Sequence, residues 1–371
     1  MEGRGSPFSA VPDSENDEES SFSGPTTGSI PLPTIVHAHE DPPHSPNYNG
    51  EDRNPFEHLP PVVNSRIKQI WAIGGGKGGV GKSLIASSLA VSLARQGNRV
   101  TAIDMDLGGA NLHTTLGVEL PKQTLSDFFN QSDSSLENFL IPTGIPYLQL
   151  ISGAQDSVSI ANIQFDQKVQ LLQKIRELNT DYIVIDLGAG TGFNTIDFFL
   201  YADIGLVTVL PEPTSIENAY RFIKSAYYRR LLHSKNLKDI RPLIHSAMDS
   251  RNAMNLKSPS DLFREVNRAH PELGTALKRE IELFRPKLVV NQARTQSDVD
   301  IGMSIKTICK KYFGIDMEYI GFLDYDSAVW QAVRRKRPFM LEFPNSKLVS
   351  NIERMVTYLT KRCGNYKNEL I

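Results

Sequence analysis

Eight consecutive residues combine glycine, lysine and serine in an order suited to binding phosphate groups. Gly76–Ser83 reads Gly-Lys-Gly-Gly-Val-Gly-Lys-Ser and fits the pattern G-x-x-x-x-G-K-[ST]. Glycines allow the backbone to curl so that its N–H groups converge on phosphate oxygens, and a helix beginning there adds partial positive charge. We expect Lys82 to bridge the β- and γ-phosphates of ATP, and Ser83 to ligate Mg²⁺. The predicted nucleotide-binding residues of this segment are Gly76, Lys77, Gly78, Gly79, Val80, Gly81, Lys82, Ser83 and Leu84.

Lys77 is a second lysine, which the general pattern does not require. We expect its side chain to point away from the centre of its own loop, towards phosphate charge on a facing subunit. There it would act as an arginine finger does, by neutralising charge that develops on the transferred phosphoryl group. The alternative is a surface lysine at a tolerant position.

Carboxylates follow two apolar segments of the sequence. Asp104 and Asp106 come after Val100–Ile103. Asp186 comes after Tyr182–Ile185. Because sheets of this kind bind ligands at the carboxyl ends of parallel strands, we expect these groups to meet near the phosphate loop. Asp104 and Asp186 are predicted to hold Mg²⁺ with Ser83, partly through water, and Asp106 to orient the attacking water; each aspartate alone would read as a cap or turn residue.

The elements that must position these residues alternate between strand and helix. Short, nearly all-apolar runs predict strands at Ile67–Ile73, Val100–Ile103, Tyr147–Ile151, Tyr182–Ile185, Ile204–Leu210, Lys287–Val290 and Glu318–Phe322. One-sided apolar spacing predicts helices at Ser83–Gln96, Phe165–Leu178, Ile216–Leu232, Val299–Tyr312 and Leu348–Leu359. This alternation predicts an α/β fold, with a doubly wound, mainly parallel sheet and helices on both faces.

Composition divides the chain into three parts. Residues 1–65 are rich in polar residues, proline and glycine, and are predicted to be a disordered N-terminal extension. Residues 66–362 form the predicted P-loop ATPase domain. Within it, residues 233–284 have no clear strand pattern and read as an insertion at the sheet edge, and residues 363–371 are predicted to be a flexible tail.

The overall composition excludes several classes of protein. A formal net charge of −2 gives no global case for nucleic acid binding. Cys309 and Cys363 lie far apart and form no C-x-x-C pair, which argues against a disulfide framework or a zinc site. No apolar run approaches the roughly 20 residues of a membrane span, and no signal peptide is recognisable at the N-terminus. These features predict a cytoplasmic protein.

Together the motifs resemble the MinD/ParA class of P-loop ATPases. Gly76–Ser83 is similar to the signature loop of that class, with Lys77 as its signature lysine. Asp104–Leu112 resembles its first switch segment, and Asp186–Gly190 resembles its second. Pro211–Tyr220 looks closest to the branch of flagellar-number regulators, FlhG.

Two further positions enter through this resemblance. Leu288–Asn291 resembles the strand whose terminal asparagine reads adenine, so Asn291 is a predicted nucleotide contact. The family usually has a proline in its adenine-side loop where this chain has Asp324, which becomes the corresponding predicted contact.

The resemblance extends from about Ile67 to Leu359 and implies a function. It implies ATP and Mg²⁺ as cofactors, with ATP hydrolysis in a nucleotide-sandwich homodimer that regulates the placement or number of a structure such as a flagellum or septum. The catalytic residues on this reading are Lys77, Lys82 and Asp106. It also implies a protein partner that stimulates the ATPase, and it leaves open a peripheral contact with the inner face of the cytoplasmic membrane. The alternative is a metabolic or carrier ATPase, such as an iron–sulfur carrier, which would need a C-x-x-C pair near its C-terminus.

Two basic clusters leave alternatives open. Arg334–Arg337 reads as a solvated helix end or as a contact with acidic lipid, nucleic acid or a partner. Tyr227–Arg230 reads as a partner surface or as tyrosines packed on the insertion.

Overall fold

The structure is a computed structural model and describes residues 53–59, 69–107, 109–131, 135–153, 163–248, 256 and 258–366. Most of the predicted N-terminal extension, and residues 367–371 of the predicted tail, lie outside these described residues. Within them, no helix has both the length and the apolar character needed to cross a membrane.

Eight strands of the described residues form a single sheet. They are β1 Gln69–Gly74, β2 Val100–Met105, β3 Ile141–Pro142, β4 Leu148–Ile151, β5 Tyr182–Leu187, β6 Ile204–Val209, β7 Lys287–Ala293 and β8 Glu318–Asp324. Their order across the sheet is β3-β4-β2-β5-β1-β6-β7-β8, and neighbours are parallel except for β3 and β4. The chain leaves β1 for β2 on one side and later crosses to β6 on the other, which opens a crevice at the carboxyl end of β1.

Helices follow the strands along the chain. They are α1 Lys82–Arg95, α2 Leu112–Thr115, α3 Leu125–Asn130, α4 Phe165–Glu177, α5 Phe193–Tyr201, α6 Pro213–His233, α7 Arg241–Met248, α8 Pro259–Ala269, α9 Pro271–Leu283, α10 Gln296–Phe313, α11 Ala328–Arg334, α12 Phe339–Glu342 and α13 Lys347–Tyr366. Helix α13 thus continues beyond residue 363, where a flexible tail was predicted.

The two faces of the sheet carry separate hydrophobic cores. Ile70 and Ala72 of β1 pack with α4, α5, α6 and α10, whereas Trp71 and Ile73 pack with α1, α12 and α13. Successive side chains of a strand point to opposite faces, so an all-apolar strand needs a helical layer on each side. The predicted doubly wound α/β fold is confirmed.

The segment at residues 233–284 is helical and differs in position from the sequence expectation. Helices α7, α8 and α9 pack mainly on one another and on α6 and α10, on one face of the sheet, whereas the edge strands are β3 and β8. Their buried side chains include Ile244, Leu262 and Leu277, which join the core on that face. Tyr227 and Tyr228 of α6 are each 1% exposed and belong to the same core, so they are not a partner surface.

The two arginines of that cluster are paired within the chain. Arg229 bonds Asp197, and Arg230 Nη2 lies 3.1 Å from Glu280 Oε2 of α9. Arg334–Arg337, by contrast, is exposed at the end of α11. The guanidinium of Arg334 lies 5.8 Å from the ring centroid of Trp330. The cluster therefore lies at a solvated helix end, the first of the two predicted alternatives.

A buried group of charged side chains joins α4, α5 and α6. Asp197 of α5 accepts hydrogen bonds from Lys168 Nζ at 2.6 Å and from Arg229 Nε and Nη2 at 2.8 and 3.0 Å. The exposed fractions of the three side chains are 0%, 4% and 3%. Removing charges from water costs several kcal/mol for each ion, so this buried cluster depends on close mutual pairing. It fixes α5, the helix that follows the loop after β5.

His233 lies beside this cluster and is expected to make stability depend on pH. Burial, reinforced by the positive charge of Arg229, lowers the pKa of His233 to about 3, whereas the pKa of an unfolded histidine is about 6.5. The unfolded chain therefore binds a proton more readily. The stability associated with neutral His233 is complete above pH 6.5 and is lost as the pH falls towards 3.

As the pH falls from 7 to 5, the preference of the unfolded chain for protonated His233 is expected to lower the free energy of unfolding by about 2 kcal/mol. Urea unfolding at the two pH values measures the change, and the variant His233→Gln should lack that share of it. An identical pH dependence in the variant and the wild type would show that His233 is not responsible.

One part of the predicted disordered extension is ordered. Arg53–Leu59, called here the N-terminal turn, contains a short 3₁₀ helix capped by the side chain of Asn54. Pro55 is buried, and Phe56 and Leu59 pack against the core on the side of α4 and α6. The composition predicted disorder because apolar residues are sparse there, but these few residues meet a groove formed by helices distant in sequence.

Candidate nucleotide-binding site

The loop between β1 and α1 is shaped by glycines that are required for two reasons. Gly81 has a φ of 91°, which residues other than glycine rarely adopt. A Cβ at Gly76 would lie 2.0 Å from the carbonyl oxygen of Asn218, and one at Gly81 would lie 2.3 Å from Nδ2 of Asn291. No atom comes within 4 Å of a Cβ built at Gly78, so the outer side of the loop is open. A ligand can therefore approach the backbone closely there.

Lys82 begins α1 and is only 7% exposed. Its Nζ donates a hydrogen bond to the carbonyl oxygen of Lys77 at 3.4 Å. Burial lowers the pKa of Lys82, and the negative charges of Asp186 and Asp106 act in the opposite direction. The ammonium group thus lies in the same crevice as the predicted carboxylates.

The predicted carboxylates are brought together by strand pairing. Strands β2 and β5 are neighbours, and Asp104 lies directly opposite Asp186 in their register. Asp186 also lies opposite Ile73 of β1, at the start of the phosphate loop. The sequence prediction that these strand ends meet at one crevice agrees with this geometry.

Asp186 has an unusual electrostatic environment. It is 1% exposed, and its Oδ1 is buried without a hydrogen-bond partner among the described residues. Burial first, and then the charge of Asp104, raise the pKa of Asp186 well above its usual value; a hydrogen bond with Ser83 and the charge of Lys82 oppose this. A buried carboxylate oxygen of this kind is costly unless a cation or donor meets it.

Asp104 has a structural task as well as its predicted one. Its Oδ1 accepts a hydrogen bond from the N–H of Asp106 at 3.0 Å, and its Oδ2 accepts one from the N–H of Leu112 at 2.9 Å. Burial raises the pKa of Asp104 to about 6 despite these hydrogen bonds. The carboxylate holds the loop after β2 in place and keeps lone pairs on both oxygens for a further partner.

The predicted water-orienting residue lies where the two switch-like segments meet. A Cβ at Gly188 would lie 3.2 Å from Oδ1 of Asp106, so glycine allows this close approach. Further along the same segment, the N–H of Gly190 donates to the carbonyl oxygen of Gly75 at 3.4 Å. The loop after β5 therefore contacts both Asp106 and the phosphate loop.

Lys77 is bound by two residues that sequence analysis named only as part of Pro211–Tyr220, without a role of their own. Its Nζ lies 3.4 Å from Oε2 of Glu212 and 3.1 Å from Oγ1 of Thr214, and its side chain is 39% exposed. Glu212 lies between β6 and α6, and Thr214 is the second residue of α6, so both come shortly after the end of β6. Their place shortly after a strand is the sequence feature that could have identified them. A contact of Lys77 with phosphate on a facing subunit stays a prediction.

Asn291 and Asp324, the predicted adenine-side contacts, differ in their surroundings. Asn291 is 2% exposed, its Nδ2 donates to the carbonyl oxygen of Val80 at 2.8 Å, and its Oδ1 accepts from the N–H of Gln292 at 2.9 Å. It therefore positions the phosphate loop. Asp324 ends β8 and is half-buried. Contact of either residue with adenine stays a prediction.

Leu84, the remaining predicted nucleotide contact, is part of α1. It is partly buried and packs against the core on the α1 side of the sheet. Its contact with nucleotide likewise stays a prediction.

The residues present fit a nucleotide with its magnesium ion. The open side of the glycine loop, the start of α1 and the Lys82 ammonium suit anionic phosphate groups. The unpaired oxygen of Asp186, with Ser83 and Asp104 beside it, offers the hard oxygen ligands that Mg²⁺ prefers. No group of three or more metal-ligating side chains of the kind that forms an all-protein metal site occurs among the described residues.

Comparison with known proteins agrees with this fold. The family profile described as ParA, NUBPL iron-transfer P-loop NTPase, matches residues 66–226. The antiactivator FleN of Pseudomonas aeruginosa is 28% identical over 282 residues, covering 75% of this chain and 81% of FleN. The flagellum site-determining protein YlxH of Helicobacter pylori is 35% identical over 180 residues, which span 46% of this chain and only 55% of YlxH.

A solved structure shows the same fold. The septum site-determining protein MinD of Pyrococcus horikoshii, solved with Mg-ADP, superposes with a TM-score of 0.55 at 20% identity. The match covers 80% of this chain and 97% of MinD.

The sheet order and the glycine loop with its lysine and opposed aspartates define a P-loop nucleotide-binding protein. The sequence similarities just given relate the chain to the ParA profile and to FleN and YlxH.

Proposed function

We propose that this protein hydrolyses ATP and works as a nucleotide-dependent switch, in which two copies close around ATP. The observation that carries the proposal is the meeting of Lys82, Asp104, Asp106 and Asp186 beside the phosphate loop. Cations, carboxylates and free backbone N–H groups at one crevice are what phosphoryl transfer to water requires.

Each residue has a distinct task in this proposal. The backbone N–H groups of Gly76–Ser83 bind the phosphates, and Lys82 neutralises their charge. Asp106, held against Gly188, orients the attacking water. Ser83, Asp104 and Asp186 would hold Mg²⁺, which supplies further neutralisation of phosphate charge when bound.

Lys77 supports the dimer in this proposal. Its ammonium lies at an exposed rim and is held by Glu212 and Thr214 of the same chain through contacts of 3.4 and 3.1 Å. Exposed ion pairs of this kind contribute about 0–1 kcal/mol, so the lysine can exchange these partners for phosphate on a second copy. Closure of the dimer would then complete both active sites together.

The ATPase rate per molecule is expected to rise with protein concentration, and Lys77→Ala should abolish that rise. Removing a cation that contacts the transferred phosphoryl group should lower the maximal rate by about 10²–10³-fold. Steady-state phosphate release, measured over a range of protein concentrations, tests this. Lys278→Ala, which removes an exposed lysine of α9, serves as the control and should behave as the wild type.

Light scattering gives an independent test of the dimer. Asp106→Ala with saturating ATP and Mg²⁺ is expected to accumulate as a dimer, since hydrolysis is blocked and Lys77 is intact. A monomer under those conditions, or a wild-type rate that is independent of concentration in both proteins, would exclude the cross-subunit role of Lys77.

The relatives suggest what the switch controls. One is named an antiactivator and another a flagellum site-determining protein, and we extend to this chain a role in regulating the number or position of a flagellum or a comparable structure. A protein partner that stimulates hydrolysis, and a peripheral contact with the cytoplasmic face of the membrane, belong to the same proposal. Affinity capture with the ATP-locked variant Asp106→Ala identifies that partner.

A second candidate follows from the family profile, whose description names iron transfer. The sequence contains two cysteines, Cys309 and Cys363, and Cys309 is buried in α10. Two cysteines so far apart do not form the paired thiolates that an iron–sulfur carrier of this fold would need. Iron measured after anaerobic purification decides between the candidates, since about one cluster per dimer would favour the carrier.

A further inference from the structure

The N-terminal turn has a shape that its own residues define. The Oδ1 of Asn54 accepts a hydrogen bond from the N–H of Phe56 at 3.0 Å, and Pro55 occupies the first position of the short 3₁₀ helix. An asparagine cap followed by proline limits the conformations of the free segment. A segment limited in this way loses less entropy when it binds a surface.

The turn binds the groove between α4 and α6 through apolar contacts. The ring of Phe56 stacks on Tyr201 at a centroid distance of 6.3 Å and meets the edge of His233 at 5.3 Å. The ring of His58 meets Phe165 of α4 at 5.6 Å. Pro55 is buried against the same surface. The turn therefore inserts side chains between helices that are distant from it in sequence.

Three hydrogen bonds fix the position of the turn along the groove. Asn54 Nδ2 donates to the carbonyl oxygen of His233 at 2.9 Å. Arg229 Nη2 donates to the carbonyl oxygen of Arg53 at 3.3 Å, and Gln173 Nε2 donates to that of His58 at 3.1 Å. Side chains of a groove that donate hydrogen bonds to main-chain carbonyl oxygens are typical of a site that binds a peptide segment.

The same groove is connected to the candidate nucleotide site through Arg229. Besides the carbonyl oxygen of Arg53, its guanidinium bonds Asp197 and lies 4.6 Å from the ring centroid of Phe193. Phe193 and Asp197 belong to α5, which directly follows the loop after β5, the strand that contains Asp186. One side chain thus touches both the turn and the helix that leads out of the site.

We propose that the groove between α4 and α6 is a peptide-binding site whose ligand is the chain's own N-terminal turn, and that its occupancy holds α5 and the loop before it in place. The turn can detach because few side chains hold it, which is typical of segments that open locally without global unfolding. Residues 60–68 keep it near the groove after release. This inference does not rest on the proposed ATPase function.

Hydrogen exchange of the full-length chain without nucleotide tests the effect on α5. Phe56→Ala should speed amide exchange in residues 187–201 about tenfold, because the turn is released more often. The control is Glu57→Ala, which alters an exposed residue of the same turn and should match the wild type. Amides of α1, on the other face of the sheet, should be unaffected in both. Unchanged exchange in residues 187–201, or an equal rise throughout the protein, would overturn the proposal.

Binding of the turn as a separate peptide tests the groove itself. A fluorescent peptide of residues 50–62 should bind the full-length variant carrying Asn54→Ala and Phe56→Ala, whose own turn no longer competes. It should bind the wild type at least tenfold more weakly, and the same peptide with Phe56→Ala should not bind either protein. A wild-type peptide that fails to bind the variant would overturn the proposal. An inactive ATPase with intact peptide binding would instead count against the proposed function alone.

Discussion

Replacing Lys82 with alanine is expected to reduce the ATPase rate by about 10³-fold or more, the largest effect that we predict on activity. The lysine is 7% exposed and begins the helix that follows the phosphate loop. Its ammonium lies where the charges of Asp186 and Asp106 act on it. Without it, phosphate charge in the crevice would face two carboxylates with one cation fewer.

Phosphate release at saturating ATP and equilibrium binding of a fluorescent ATP analogue measure the two parts of this effect. Lys310→Ala removes an exposed lysine of α10 and is the matched control, with an unchanged rate expected. Circular dichroism establishes that both variants are folded. A folded Lys82→Ala protein that hydrolyses ATP within tenfold of the wild-type rate would rule out the assigned role.

Replacing Asp197 with alanine is expected to lower the free energy of unfolding by about 3–5 kcal/mol, the largest effect that we predict on stability. The carboxylate is fully buried and accepts hydrogen bonds from Lys168 and Arg229, whose side chains are 4% and 3% exposed. Its removal leaves two cations in the interior without this anion. The cost is mainly the desolvation of those cations, which their attraction to Asp197 offsets in the wild type.

The matched control removes an exposed acid of a similar pair. Glu217 bonds Arg221 on the surface of α6, with exposed fractions of 63% and 69%, and Glu217→Ala should cost less than about 1 kcal/mol. Urea unfolding followed by circular dichroism compares the two variants. A triple variant with Lys168→Met, Asp197→Leu and Arg229→Met should recover most of the loss, because these three positions then carry no buried charge. Equal losses for the buried and exposed acids would contradict this account.

The fold could be predicted from the sequence because its signals are local. Apolar strands of four to seven residues alternate with helices of one-sided spacing, and a buried parallel sheet is the arrangement that satisfies both. The phosphate loop could be predicted for a similar reason, since glycine at Gly76 and Gly81 is required by backbone conformation and close packing. The nearness of the aspartates at the carboxyl ends of β2 and β5 could be predicted from the rule that strand ends share one edge.

Other features depended on contacts between distant residues, which no local pattern encodes. Glu212 as partner of Lys77 requires the pairing of β6 with β1, and Asn291 as donor to the carbonyl oxygen of Val80 requires β7 to pair with β6. Asp197 looks in sequence like one more acid on a helix, yet three helices bury it between two cations.

The sequence by itself determined the pattern of the phosphate loop and the doubly wound α/β fold class, because each depends on residue types at fixed spacing along the chain. Only the tertiary structure decided which acids are buried, what holds Lys77, and that Arg53–Leu59 is ordered. Composition reflects only how many apolar residues a segment has, and Arg53–Leu59 has too few for order to be predicted. Its Phe56 nevertheless packs on Tyr201 and His233, which other elements hold in place. The folding of the domain already includes the entropy cost of ordering that surface, so the turn adds only the cost of ordering its own residues.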